Sequence, residues 1–217
     1  SCGYAFLQSV ARHILRNHVY LHALETGNPI PIGTQDAAFL DPARYDEDRD
    51  IGAGEEGDED QNGKESPDFP RTWPGYRDLA ARIYGKYRSQ QRDRFDWLRS
   101  DLFTERLADD LRADARALFG IIQKYGDWEP EEDAKLNKLH ELLSREHGDS
   151  KVLVFTQFAD TVEYLAGHLQ ERKLDRVAGV TCSSADPTAL AHRFSPDSNG
   201  KQIAPADQLR VLVATDV

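Results

Sequence analysis

The sequence predicts an α/β chain, a parallel sheet of about three strands preceded by a mainly helical region. Three observations carry this expectation. In Lys151-Val152-Leu153-Val154-Phe155-Thr156-Gln157-Phe158, five of eight residues are apolar and none is Gly or Pro. Such a run reads as a strand buried on both faces. The same signal returns over residues 209–217, where Val211-Leu212-Val213-Ala214-Thr215 leads into Asp216. Helical patterns separate the two runs, which makes a parallel arrangement the natural one. Chemistry in parallel sheets gathers at the carboxyl ends of the strands, here Thr156-Gln157 and Thr215-Asp216.

Four stretches follow from composition. Residues 1–43 are an amino-terminal helix and connector, 44–68 an acidic segment, 69–149 a helical region, and 150–217 the sheet. The first helix spans residues 4–25, with Leu7, Val10, Ile14, Leu21 and Leu24 mostly on one face and Gly27 as its stop. Arg12 and Arg16 lie four apart on another face, either a solvated surface or a phosphate contact. Pro29 and Pro31 make 28–36 an irregular loop. Residues 44–66 hold almost no large apolar side chains, so they cannot offset the entropy of ordering and read as disordered.

A helix over 75–89 carries Tyr76, Leu79, Ile83 and Tyr87 on one stripe, with Arg77, Arg82, Lys86 and Arg88 among them. Aromatic residues interleaved with bases suit nucleic acid and suit an ordinary amphipathic helix equally. Residues 93–101 read as a short helix or turn. Thr104 is placed to cap a helix to about Lys124, with Leu107, Leu111, Leu118, Ile121 and Ile122 inward. Pro130 sits at the first turn of another, reaching about Glu146. Asp160 then caps a helix to about Glu171, with Glu163 completing a capping-box-like pattern. A second strand covers 176–181. Asp186-Pro187 starts a helix with a capping side chain and a proline at the first helical position.

Composition bounds the function classes. The net charge of −11 argues against a nucleic-acid binder, yet it is unevenly spread. Residues 44–66 contribute −7, whereas residues 71–125 carry a local +4. A polyanionic partner is therefore compatible with the total. No apolar run approaches the roughly 18 residues of a membrane span. Cys2 and Cys182 stand alone, which fits a reducing cytoplasm and no structural zinc site. The chain lacks Met even at residue 1 and stops directly after a strand, so it is expected to be a piece of a longer protein.

With these residues in view, a family resemblance follows. Residues 151–158 resemble helicase motif IV, and residues 212–217 resemble the opening of motif V. Residues 186–195 occupy the place of the helix after the second strand. Together they resemble the second RecA-like lobe of superfamily 2 helicases, in particular the bacterial branch of the Swi/Snf-type DNA-dependent ATPases. The helical residues before Lys151, with residues 4–36 included, resemble the connector and protrusion that precede this lobe.

The resemblance implies a fragment of an ATP-dependent DNA translocase, nucleoid-associated in the cytoplasm. ATP and Mg²⁺ act in the parent and are not expected in the fragment. DNA, more often double-stranded, is the implied partner, with protein partners possible and no membrane. It implies Thr156, Gln157 and Thr215 as nucleic-acid contacts and Asp216 as nucleotide-proximal. No G-x-x-x-x-G-K-[ST] occurs, and the family's arginine-bearing motif is expected beyond Val217, so the fragment itself is expected to be inactive as an ATPase. The family usually has Gly where this chain has Cys182, which leaves a DNA contact at Ser183 or Ser184 open. The alternative is a helical protein-interaction module joined to a doubly wound domain that binds no nucleic acid.

Overall fold

A computed structural model describes residues 2–33 and 69–215. The acidic segment 44–68 and Asp216 lie outside the described residues. The chain divides into a helical unit, Ser9–Asp127, and a sheet unit, Ser1–Gln8 with Trp128–Val217.

The helical unit draws on three long helices. Helix α1, Gly3–Glu25, contributes its part from Ser9 onward. It ends where Gly27 turns to φ 66°, a left-handed conformation that lets the Asn28 N–H reach back to the Ala23 carbonyl at 2.9 Å. Helix α2, Trp73–Gln90, starts at Thr72, whose side chain accepts from the Gly75 N–H, with a proline in its first turn. Helix α3 spans Glu105–Tyr125.

The core of this unit is a cluster of apolar and ring side chains, with Ile14, Leu15, Tyr76 and Ile83 fully enclosed. Phe119 meets Trp73 and Tyr76 edge-on, each at 5.9 Å between centroids. The leucine and isoleucine periodicity of α3 gave less weight to Phe119 and Ala115, which are its most buried residues.

Two expectations fail here. Within the residues read as an irregular loop, Ile30–Ile32 forms strand β1. It pairs antiparallel with β2, Asp96–Leu98, inside the stretch read as a helix or turn. Pro31 is tolerated because the ribbon has only two strands and its missing N–H can face outward. The local pattern could not reveal this, because the two strands lie more than sixty residues apart in sequence.

In the sheet unit Pro130 does not sit in the first turn of an α-helix as expected; helix α4, Ala134–Glu141, starts later and is capped by Asp133. Its Oδ1 accepts from the N–H groups of Lys135 at 2.9 Å and Leu136 at 3.1 Å. Pro130 begins only a short 3₁₀ turn. The helix widens into a π turn over Leu142–Glu146. There follow β3 (Val152–Thr156), α5 (Ala159–Glu171), β4 (Val177–Val180), α6 (Pro187–Phe194) and β5 (Val211–Thr215).

The three later strands form one parallel sheet in the order β3-β5-β4. Val152, Val154, Val211, Val213 and Val177 join the core with Val162 and Leu169 of α5 and Leu136 and Leu143. Gly179 lies on this same face. A β-carbon there would stand 2.9 Å from Val162 Cγ1 and 3.1 Å from Ala166 Cβ, so the absent side chain is what lets α5 approach β4.

The strand expected to be buried on both faces is not. β3 is an edge strand, with Leu153 43% and Phe155 63% exposed, whereas β5 is the central strand and is buried from Val211 to Ala214. An apolar run measures composition, and position in the sheet is decided by which strands pair. Helix α5 also begins two residues earlier than expected. Phe158 is its N-cap, and Asp160 falls in the first turn, where its charge favours the helix dipole.

One buried cation ties the unit together. Arg210, 6% exposed, donates through Nη1 to the carbonyls of Leu143 at 3.1 Å and His147 at 2.8 Å. It thereby satisfies carbonyls that the end of α4 leaves open.

Candidate nucleic-acid interface

The parallel register brings the strand ends level. Thr156 is paired with Thr215 across β3 and β5. Val180 of β4 is paired with Ala214, so the next residue, Thr181, comes level with Thr215. Two paired strand-end threonines and Thr181, the residue directly after β4, therefore line the carboxyl edge as one row. Side chains alternate along a strand, which puts this row on the valine face, the face that α5 covers.

Thr156 and Thr215 are half-buried, Gln157 is exposed and Thr181 is buried. Two of the expected contact residues, Thr156 and Thr215, are thus neighbours, and Gln157 follows directly on the first. Asp216 falls outside the described residues. Thr181 was missed, although the signal was available. It ends its apolar run just as Thr156 and Thr215 end theirs.

The turn after β4 accounts for the departure at Cys182. The Ser184 N–H donates to the Thr181 carbonyl at 3.1 Å, closing a β-turn. The Thr181 N–H donates to Ser184 Oγ at 3.0 Å, and the Thr181 and Ser183 hydroxyls lie 2.9 Å apart. Cys182 keeps negative φ. Hydroxyl groups bend this turn where a glycine backbone is otherwise expected. Ser183 and Ser184 spend hydrogen-bonding capacity on the turn itself, and Cys182 is an exposed free thiol.

What this edge can do chemically is limited and specific. Hydroxyls and strand-end N–H groups bind and position phosphate oxygens without reading bases. Among the described residues, no group of three or more His, Cys, Asp or Glu side chains is placed to hold a metal ion.

Behind the edge, the first turns of α4 and α5 are held by a buried network. Trp128 Nε1 donates to the Tyr164 hydroxyl at 2.9 Å, and that hydroxyl donates to Asp133 Oδ2 at 3.0 Å. Desolvation is the main reason the Tyr164 phenol is pushed well above its ordinary range, so it stays protonated and keeps donating. Tyr4 stacks on the same ring at 5.0 Å.

Among the described residues no helix is long and apolar enough to cross a membrane. No family model matches the chain, and neither a curated protein nor a solved structure matches it.

Proposed function

We propose that the sheet unit is the opening part of a second RecA-like lobe of a Swi/Snf-type, ATP-driven DNA translocase. In this reading its carboxyl edge touches the phosphate backbone of DNA. The observation that carries the reading is the row Thr156–Thr215–Thr181, followed on β3 by exposed Gln157. Residues 151–158 and 212–217, which resemble motifs IV and V, supply two of those three strand ends. ATP and Mg²⁺ belong to the parent protein, and the isolated chain hydrolyses no ATP.

The deciding experiment is a filter-binding titration of duplex DNA at two salt concentrations, with the Thr156→Ala/Thr215→Ala double variant alongside. Backbone contact predicts affinity that falls steeply with salt and is weakened several-fold in the double variant. Salt-insensitive binding, or a double variant that binds as well as the original chain, rejects the reading.

A second reading, a protein-binding module, is favoured by one observation. Leu153, Phe155 and Phe158 form an exposed apolar set on or beside β3. Under that reading the titration shows no DNA binding at either salt concentration.

A further inference from the structure

The helical unit contains a cavity of about 540 Å³ whose walls come from α1, α2 and α3. That volume falls within the roughly 300–1,000 Å³ of small-molecule sites. Its walls combine an apolar part, Leu21, Trp73 and Ala81, with the guanidinium groups of Arg77, Arg112 and Arg116.

The three cations are not equivalent. Arg112 is neutralised and held in place by Glu25 at 3.0 Å and Asp109 at 2.9 Å. Arg116 lies 5.9 Å from the Trp73 ring centroid. Among the described residues, neither Arg116 nor Arg77 has a carboxylate within ion-pair distance. Asp78 also lines the cavity and is likewise unpaired among the described residues. His18, at the same wall, is held neutral by burial and adds no charge.

Two guanidinium groups with no carboxylate partner among the described residues present donor forks that match phosphate oxygens. The carboxylate of Asp78 can accept from hydroxyl or amino groups. An apolar wall with an indole suits a flat ring. The geometry points to a nucleoside monophosphate as the ligand of this cavity, with phosphate on Arg77 and Arg116 and the nucleoside over the apolar wall. This inference concerns residues of the helical unit alone and does not rest on the reading of the sheet edge.

The test is isothermal titration of the full chain with AMP, GMP, CMP and UMP, with adenosine and inorganic phosphate as partial ligands. At least one nucleotide is expected to bind with a dissociation constant of about 1 mM or tighter. Each partial ligand should bind about tenfold more weakly or worse. The Arg77→Gln/Arg116→Gln variant should lose at least about tenfold, and Arg116→Lys should recover only part of the loss.

Both arginines are exposed, so a far-UV circular dichroism melt should show the double variant folded. Arg82→Gln, on α2 outside the cavity, should bind normally. Absence of binding by all four nucleotides at about 1 mM overturns the assignment, as does a double variant that folds and binds unchanged. Inorganic phosphate binding as tightly as the nucleotides also overturns it. To separate a free nucleotide from a strand end, a short single-stranded oligodeoxynucleotide is titrated too. Arginine-dependent binding of the oligonucleotide alone overturns the mononucleotide assignment.

Discussion

Strands β3 and β5 read Val-Leu-Val-Phe-Thr and Val-Leu-Val-Ala-Thr, and they pair residue for residue. They differ at one position, Phe155 opposite Ala214. Yet β5 is enclosed along four of its five residues while β3 leaves Leu153 and Phe155 open to solvent. Nearly identical sequence thus takes two environments. Among the described residues, β5 has a hydrogen-bonded neighbour on each side, and β3 has one. Burial of a strand belongs to its place in the sheet, and composition alone does not encode that place.

The harshest way to break the comparison is to put a charge at equivalent positions. Val213→Asp on β5 buries an unpaired carboxylate and should cost more than about 4 kcal/mol, enough to unfold the sheet unit. Val154→Asp, its register partner on half-buried β3, should cost distinctly less. Urea denaturation of the two variants measures the difference, and equal losses would mean that the two strands are equally enclosed.

Gly179→Ala asks whether β4 is as tightly held as β5. The added methyl must displace Val162 or Ala166, for an expected loss of about 1–3 kcal/mol. A melting temperature within error of the original would mean that α5 stands off the sheet.

A change of pH extends the comparison to the other unit. Desolvation, the first cause, lowers the pKa of His18 below 6.5, and the Arg77 charge adds to this. Below 6.5 the unfolded chain takes up a proton that the folded helical unit resists, so stability falls as pH drops through that value. Nδ1 lies 2.8 Å from the Ile14 carbonyl and donates to it, and the buried Nε2 has no acceptor among the described residues for a second ring proton. Trp73 and Trp97 report on the helical unit. In a Trp128→Phe background their fluorescence should show a lower urea midpoint at pH 5 than at pH 7.5. His18→Gln should flatten that dependence.

The mildest test sits on the open strand itself. Phe155→Ser removes a side chain that is already 63% exposed and should change stability by no more than about 0.5 kcal/mol. A loss of 2 kcal/mol or more, on the scale of a buried aromatic, would show that the outer face of β3 is covered in solution.

Local chemistry was legible where one or two residues decide the backbone. Gly27 ends α1, and Asp186 accepts from the Ala189 N–H at 2.8 Å ahead of Pro187, as its side chain and the proline geometry require. A strand–helix–strand alternation was enough to give three parallel strands. What stayed hidden depends on distant partners. The pairing of Ile30–Ile32 with Asp96–Leu98 joins residues far apart in the chain. The helix expected to start at Pro130 starts after Asp133, whose carboxylate caps it through Oδ1 and accepts from the distant Tyr164 hydroxyl through Oδ2. Of the candidate site, Thr156, Gln157 and Thr215 were named from the sequence, while the row they form with Thr181 required the strand register. The arginine-lined cavity combines three helices whose relative placement no periodicity specifies.

Arg210 bears on how this protein can be dissected. Cutting the chain at Ser150, the boundary that composition indicates, would remove both carbonyls that its guanidinium holds and leave a solvent-starved cation at the root of the central strand. A piece that keeps Arg210 satisfied therefore has to include α4 and its π turn, and the sheet unit further includes Ser1–Gln8, whose Cys2 and Ala5 are buried in its core. Anyone trimming the sheet for spectroscopy should count α4 and its π turn as part of the same body.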